Sequence, residues 1–381
     1  MQYSYSNTLS DFLKPLNTYE LSNDEGYKDK QIGKHIQVFE DDFPDIEAAD
    51  VVLIGCNENR GAGAAFTQNK SSADIIRSEF YNLFYWHKDV TIADAGNIKT
   101  GAELKDTYAA LKTVVSELVS MNKKVLIIGG SHDMTTAQYE AYAQLEQIVE
   151  LTCCDARIDM DMDSVIPADF FMMPLLTSSP NYIRHYNHIG FQSYFVHPSM
   201  LETIDKLRFD CFRVGKVKEN IEEMEPIIRN SSIFSFDISA IQHSHAPCNR
   251  LTPNGLTGEE ACTLMQYAGM SANVSSTGIY GYHSKMDEHH LTAKQISHML
   301  WYFVDGVYKG KQESLPEDHS QFKEYHIAFA EMETIFLQSR KTGRWWMQLP
   351  DGKYIPCSYL DYVTASHNDI PERWLRAVER S

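Results

Sequence analysis

The stretch Lys124–Asp133 reads KVLIIGGSHD, a short apolar run that ends in two glycines followed by Ser, His and Asp. A near-continuous apolar run of this length is typical of a strand buried on both faces of a parallel sheet. We predict strands at this stretch and at five further runs of the same character: Asp50–Cys56, Ile148–Ile158, His188–Val196, Ser232–Ser239 and Val274–Tyr282.

Longer segments with helical periodicity separate these strands. In one of them Leu104, Leu111, Val115 and Leu118 recur on a single helix face. Strands that alternate with helices require crossover connections, so we predict an α/β fold in three layers, α/β/α, with a mostly parallel central sheet. The predicted helices are Ala73–Trp86, Leu104–Met121, Thr135–Leu145, Ser199–Leu207, Gly258–Met270 and Thr292–Val307.

The two ends of the chain fall outside this alternation. Residues 1–48 are polar with turn signals, and we expect them to form an N-terminal extension to an α/β domain at 49–307. Residues 308–381 begin with the loop-like stretch KGKQESLPEDHSQ and end in an aromatic tail. Because the tail has little apolar material for a core of its own, we expect a C-terminal extension packed on the same domain.

The net charge of the chain limits the classes of partner that it can bind. With 34 Lys and Arg against 52 Asp and Glu, the formal charge is −18. Nucleic acids and anionic membranes are bound through clustered cations, so we expect a small-molecule ligand or substrate and neither of those partners. The chain has no leader-like start, no apolar run of about 18 residues and no CxxC spacing among seven cysteines, so we expect a cytoplasmic protein.

Polar side chains follow three of the predicted strands. His132 follows the first, Asp155, Arg157 and Asp159 end the second, and Asp237 lies near the end of the third. In open parallel sheets, ligands bind at the carboxyl ends of strands, and alternate residues of an extended segment point the same way. Each residue alone has an ordinary explanation as a cap or a loop residue. Together, a histidine and several carboxylates indicate a site for a divalent ion such as Mn²⁺.

These motifs resemble those of the ureohydrolase superfamily, which contains arginase, agmatinase and formimidoylglutamase. The resemblance runs from about residue 50 to residue 307 and implies an arginase-like fold. The tail segments Lys341–Trp346 and Asp369–Trp374 look similar to the formimidoylglutamase-like branch. Supporting segments are Arg60-Gly-Ala-Gly, Ala73-Asp-Ile-Ile-Arg77, Asp94-Ala-Gly-Asn, Gly190-Phe-Gln-Ser, Asn254-Gly-Leu-Thr-Gly-Glu-Glu260 and Met286-Asp287 with Thr292-Ala293.

The resemblance implies a dinuclear manganese site whose bridging hydroxide attacks an amidine or guanidine carbon. Carried over by motif, the residues that would hold one ion are His132, Asp155, Asp159 and Asp237, and His132 and Asp159 would also be catalytic. The second ion would share Asp155 and Asp237 and needs two ligands more.

Both of those further ligand positions are changed. Arg157 stands where the family has a histidine, and Ser239 stands where it has an aspartate. A guanidinium has five donors and no acceptor, and its permanent charge repels a cation. Our hypothesis is that Arg157 takes the space and charge of the second metal and pairs with Asp155 or Asp237.

Other family residues are also missing. The glutamate that binds the substrate guanidinium falls at Gly281, a further aspartate falls at Gln242, and the proton-shuttle histidine falls within Phe170–Met173. His185 or His188 could substitute for that histidine, although capping or lining a strand start is the more ordinary role. A further cluster is interpreted as a surface loop, because its spacing matches no known ligand pattern: His283, His289 and His290.

Three functional interpretations stay open. The favoured one is a ureohydrolase-fold protein with a degenerate dinuclear site that acts as a non-catalytic or regulatory homologue. The second is a hydrolase of a linear amidine, such as formimidoylglutamate, that works with one retained metal. The third is a protein that binds a small acidic or amidine ligand through Arg157 without turnover. We expect at most one Mn²⁺ per chain, or none, and by resemblance a homo-oligomer.

Overall fold

A ten-stranded sheet organises the chain in the computed structural model, which describes residues 9–22, 26–63, 71–330 and 332–380. Its strands follow one another across the sheet in the order β1-β4-β3-β5-β10-β9-β6-β7-β8, with β2 also paired to β4. Among the described strands of this sheet, only β1 pairs antiparallel. The strands are β1 Leu13–Lys14, β2 Gln37–Val38, β3 Val51–Gly55, β4 Ile92–Ile98, β5 Lys124–Ile128, β6 Val149–Cys154, β7 Ile183–Phe191, β8 Asp210–Arg213, β9 Ile233–Asp237 and β10 Ser276–Tyr280.

Helices cover both faces of this sheet. One apolar core includes Phe80 of α2 and Leu300 of α11, and the other includes Leu111 of α3 and Tyr142 of α4. The predicted three-layer α/β/α fold is therefore confirmed. Among the described helices, none is long and apolar enough to cross a bilayer. The helices are α1 Thr18–Leu21, α2 Ser72–Tyr81, α3 Leu104–Ser120, α4 Thr135–Gln144, α5 Pro167–Phe170, α6 Met172–Thr177, α7 Pro198–Lys206, α8 Val214–Glu219, α9 Met224–Asn230, α10 Gly258–Met270, α11 Leu291–Gly310, α12 Tyr359–Ser366 and α13 Glu372–Arg380.

Two predicted strands differ in their bounds from the structure, and the buried strand β4 was missed. The strand predicted at His188–Val196 spans Ile183–Phe191 in the structure. Its first half was missed because buried polar residues interrupt the apolar pattern there. The buried strand β4 was not predicted, since its sequence IADAGNI contains Asp94 and Asn97. The strand predicted over Ile148–Ile158 ends at Cys154, so the residues after it follow a loop path.

The strand order explains why the three polar motifs meet. β5, β10, β9 and β6 are consecutive and parallel, so their carboxyl ends share one edge of the sheet. In the register of β10 with its neighbours, Ile279 pairs with Ile128 of β5, and Tyr280 pairs with Asp237 of β9. The loops that carry His132 and Asp155 leave the sheet beside Asp237.

The end of the chain forms a second, four-stranded antiparallel sheet. Its own apolar core includes Phe329, Phe336, Met347 and Trp374. It packs on α9, where the Arg229 side chain donates to the Trp345 carbonyl at 2.8 Å. The division of the chain at residues 48 and 307 stays a prediction. The strands are β11 Phe322–Phe329, β12 Met332–Ser339, β13 Trp345–Gln348 and β14 Tyr354–Cys357.

Candidate metal centre

A tight turn after β5 delivers His132 to the carboxyl edge of the sheet. Gly129 and Gly130 both have positive φ, +82° and +85°, which glycine adopts without steric cost. A Cβ atom on Gly129 would lie 2.5 Å from the Cys56 carbonyl oxygen, so the backbones approach too closely for a side chain. The chain then makes a 3₁₀ turn over His132–Met134 and continues into α4.

The imidazole of His132 is buried and faces two carboxylates. Its Nδ1 lies 2.7 Å from Asp159 Oδ2 and 3.1 Å from Asp155 Oδ2. Its Nε2 lies 3.1 Å from Ser235 Oγ, which in turn lies 2.6 Å from Thr135 Oγ1. One ligand atom from each of His132, Asp155 and Asp159 can be chosen so that all three lie within 4.8 Å of one another. This is the spacing of side chains that converge on a single ion.

The three ionisable side chains of this centre shift one another's pKa values. Burial alone would lower the pKa of His132, but its hydrogen bonds to Asp155 and Asp159 raise that pKa well above the usual range. Burial, together with the charge of Asp155, raises the pKa of Asp159 to about 8. The pKa of Asp155 is nevertheless held low, mainly by His132. Two buried carboxylates this close do not both stay ionised without compensation, which can be a proton on Asp159, a proton on His132 or a bound cation.

Asp155 has its other oxygen engaged elsewhere. Asp155 Oδ1 accepts the backbone N–H of Arg157 at 3.1 Å and also the hydroxyl of Ser239. Ser239 additionally donates its backbone N–H to Asp237 Oδ1 at 2.8 Å. Asp237 is not part of the three-residue group, although burial and the charge of Asp155 raise its pKa. Ser239 therefore links the two carboxylates through hydrogen bonds.

Arg157 does not pair as the sequence suggested. Its Nη1 lies 3.1 Å from Asp169 Oδ1 on α5, so the predicted ion pair with Asp155 or Asp237 is wrong. The reason is that the chain leaves the sheet after Cys154, and Arg157 no longer shares a strand face with its neighbours. Burial opposes its charge, but the carboxylates of Asp159, Asp155 and Asp169 together raise its pKa. The guanidinium thus stays within the field of the centre.

Gly281 lies directly against Asp237. Its φ is +83°, and a Cβ atom there would be 2.6 Å from Asp237 Oδ2. No side chain fits at this position while Asp237 keeps its place. Phe171, from the apolar stretch 170–173, packs edge-on against the His132 ring at a centroid distance of 4.9 Å.

The other histidines considered from the sequence lie outside the three-residue group. His188 Nε2 donates to the Asp155 carbonyl at 3.1 Å while its Nδ1 lies 2.7 Å from the Tyr186 hydroxyl, and burial lowers its pKa to about 4. His185 lies 2.9 Å from Asp210. Among the described residues, His283, His289 and His290 do not belong to any cluster of three or more side chains spaced to hold a metal ion.

Sequence reasoning did not assign roles to several residues at this edge. Ser235 lies within the predicted strand Ser232–Ser239, and its contact with His132 depends on the strand order β5-β10-β9. Asp133, next to His132, accepts the Tyr108 hydroxyl at Oδ2, while its buried Oδ1 has no hydrogen-bond partner among the described residues. Asp169 carried no signal, because its contact with Arg157 depends on the path of the loop between them.

The fold and this centre can be compared with known proteins. Residues 49–305 match the model of the arginase family. The chain belongs to the arginase family. The expected ureohydrolase membership and arginase-like fold are thereby confirmed. A formimidoylglutamase of Staphylococcus haemolyticus (strain JCSC1435) is 24% identical over 116 residues, which are 30% of this arginase-family chain and 37% of that relative.

Solved structures of the family share the fold at low sequence identity. The formiminoglutamase of Trypanosoma cruzi, solved with Mn²⁺, superposes with a TM-score of 0.64 at 17% identity over 74% of this chain and 99% of that one. The formimidoylglutamase of Bacillus subtilis subsp. subtilis str. 168 superposes with a TM-score of 0.65 at 17% identity, over 76% of this chain and 97% of that one. The agmatine ureohydrolase of Thermoplasma volcanium superposes with a TM-score of 0.60 at 19% identity, over 75% of this chain and 97% of that one.

Proposed function

We propose that this arginase-family protein has a degenerate dinuclear manganese site and acts as a non-catalytic or regulatory homologue rather than as a conventional amidine hydrolase. The observation that carries the proposal is the pair of hydrogen bonds at Asp155 Oδ1, from the Ser239 hydroxyl and the Arg157 backbone. The family resemblance implies that Asp155 would also hold the second ion, and these two donors already occupy one of its carboxylate oxygens.

The retained position fits one divalent ion. His132, Asp155 and Asp159 offer one nitrogen and two oxygen atoms that converge, and Asp237 stands nearby as the fourth ligand implied by the family resemblance. Imidazole and carboxylate together suit manganese. A bound ion would lower the pKa of a coordinated water and polarise a C–N bond.

The other position does not fit a second ion. Ser239 contributes a hydroxyl that donates to Asp155 instead of a carboxylate. Arg157 contributes a guanidinium, which has no lone pair to give a metal and repels one electrostatically. Gly281, at the position of the family's substrate-binding glutamate, leaves no room for a side chain beside Asp237. Three independent changes therefore act against two-metal catalysis on a guanidine or amidine.

The test is an assay of the manganese-loaded protein with formimidoylglutamate, agmatine and arginine as substrates. We expect no turnover above that of the His132→Ala variant, which serves as the control for contaminating activity. Circular dichroism should establish that this variant is folded. Turnover of any of the three substrates that disappears in His132→Ala would overturn the proposal.

The second candidate is a one-metal hydrolase of a linear amidine such as formimidoylglutamate. It is favoured by the convergence of His132, Asp155 and Asp159, in which His132 and Asp159 would be catalytic. The relatives named formimidoylglutamase support this choice of substrate. One retained ion would suffice to activate water, and turnover lost with His132 would support this candidate.

The remaining properties follow from the family and the composition. We propose a small-molecule ligand or substrate, at most one manganese ion per chain, or none, and a homo-oligomeric, cytoplasmic protein. The charge of −18 supports the exclusion of nucleic acid and anionic membranes as partners.

A further inference from the structure

A cleft with aromatic walls lies between α10, α11 and the segment that follows α2. Its volume is about 390 Å³, within the range of small-molecule sites. Four aromatic side chains line it, and the residues of the candidate metal centre do not: Phe84, Trp86, Trp301 and Tyr302. We propose that this cleft binds a small organic cation with an apolar body.

Three of the four aromatic side chains in the cleft are exposed. Trp86 is 74% exposed, Phe84 is 56% exposed and Tyr302 is 38% exposed. Single exposed apolar residues are common on proteins and need no explanation. Several large aromatic residues gathered on one concave surface are characteristic of a binding site.

The charge of the cleft selects the class of ligand. Glu259 is the one acidic residue among those that line it, and the lining contains no lysine or arginine. Its carboxylate makes no ion pair or hydrogen bond with a described residue, and it is exposed. Aromatic faces attract cations through their quadrupole, and a carboxylate adds Coulomb attraction. An anion would meet repulsion from Glu259, and the other polar side chains of the lining carry no permanent positive charge: His245, Gln295 and His298.

The walls are held in place by the backbone. Trp301 Nε1 donates to the Phe84 carbonyl at 2.9 Å, which ties the segment after α2 to α11. Tyr85 donates its N–H to the Lys30 carbonyl at 2.8 Å, and Ile32 donates to the Leu83 carbonyl at 2.9 Å. A preformed site loses little entropy on binding, which favours a small ligand.

The ligand can be placed by class from these contacts. Its positive group would lie near Glu259, and its apolar part would lie against the aromatic side chains. Quaternary and primary ammonium groups both meet these requirements. The proposal does not depend on the metal centre, so it can fail or succeed separately from the proposed function.

The test is isothermal titration calorimetry with benzyltrimethylammonium, using benzyl alcohol as the neutral comparison and benzoate as the anionic one. We expect one benzyltrimethylammonium per chain, bound at least tenfold more tightly than benzyl alcohol, and no binding of benzoate. Trp86→Leu should weaken binding at least tenfold, and Glu259→Gln about fivefold. Tyr19→Leu and Glu202→Gln, which change exposed residues elsewhere, should leave the affinity unchanged.

Several results would overturn this proposal. Equal affinity for the three probes would show that charge plays no part, and unchanged affinity in both cleft variants would place the binding elsewhere. Light scattering provides a second measurement. If no probe binds and Trp86→Leu reduces the size of the assembly, the cleft is a contact between copies of the chain. If no probe binds and the assembly is unchanged, the cleft has no such ligand.

Discussion

At the scale of single residues, the proposal of a degenerate two-metal site depends on Arg157 and Ser239. Ser239 donates its hydroxyl to Asp155, and Arg157 brings a positive charge that pairs with Asp169. The sequence motifs alone were sufficient to identify these two positions as ones where the family's ligand residues are changed. The partner of Arg157 could not, because it depends on a loop whose direction is set by packing after β6.

Arg157→Ala should destabilise the metal-free protein at pH 7. The substitution removes the cation nearest to Asp169 and part of the field that offsets Asp155 and Asp159. Since the side chain is 40% exposed, solvent screening limits the effect, and we expect a loss of about 0.5–1 kcal/mol in the free energy of unfolding. Urea denaturation measures the change, with Arg184→Ala as the control, because this substitution removes an exposed arginine that pairs with the buried Glu150 away from the centre. An unchanged or raised stability would contradict the electrostatic role of Arg157.

Gly281→Ala should cost more than a positive φ alone explains. Alanine pays about 1 kcal/mol for the left-handed backbone, and the clash with Asp237 should add about 1–3 kcal/mol. Gly343→Ala is the control, because Gly343 has φ +75° and no atom within 4 Å of the added Cβ. The two variants are compared by urea denaturation. Equal losses in both would mean that Asp237 yields readily and that residue 281 could carry a side chain.

At the scale of elements, β4 shows where the sequence pattern is insufficient. The predicted strands were those with apolar runs, whereas β4 buries Asp94 and Asn97. Arg77 on α2 makes this possible, since its Nε and Nη2 donate to the two oxygens of Asp94 at 2.7 and 2.9 Å. Both residues lie in segments that support the family resemblance, Ala73–Arg77 and Asp94–Asn97. Their contact is a long-range pairing between helix and strand that periodicity does not contain.

Asp94→Asn should therefore destabilise the packing of α2 on the sheet. It leaves the fully buried guanidinium of Arg77 without its main counter-charge, and we expect a loss of about 3–5 kcal/mol. Asp74→Asn is the control, because Asp74 contacts the same guanidinium but is 34% exposed, and it should cost about 1 kcal/mol or less. Thermal and urea denaturation would give both values. Similar losses in the two variants would contradict the account of this buried pair.

At the scale of the whole molecule, the strand order brings the chemistry together. The alternation of strands and helices was sufficient to predict the three layers, and parallel strands place His132, Asp155 and Asp237 at one edge. The second sheet at β11–β14 was not predicted, because its apolar residues are spread over short strands that form a core only once paired. Trp346 joins the two parts by packing 4.2 Å from the guanidinium carbon of Arg229.

The most direct test of the central claim is the manganese content of the purified protein after loading and removal of free ion. We predict no more than one equivalent per chain, lost in His132→Ala because that variant removes the nitrogen ligand. The double variant Arg157→His with Ser239→Asp tests whether the second position can be restored. Two equivalents bound by the unaltered protein would contradict the claim that Arg157 and Ser239 have replaced the second metal.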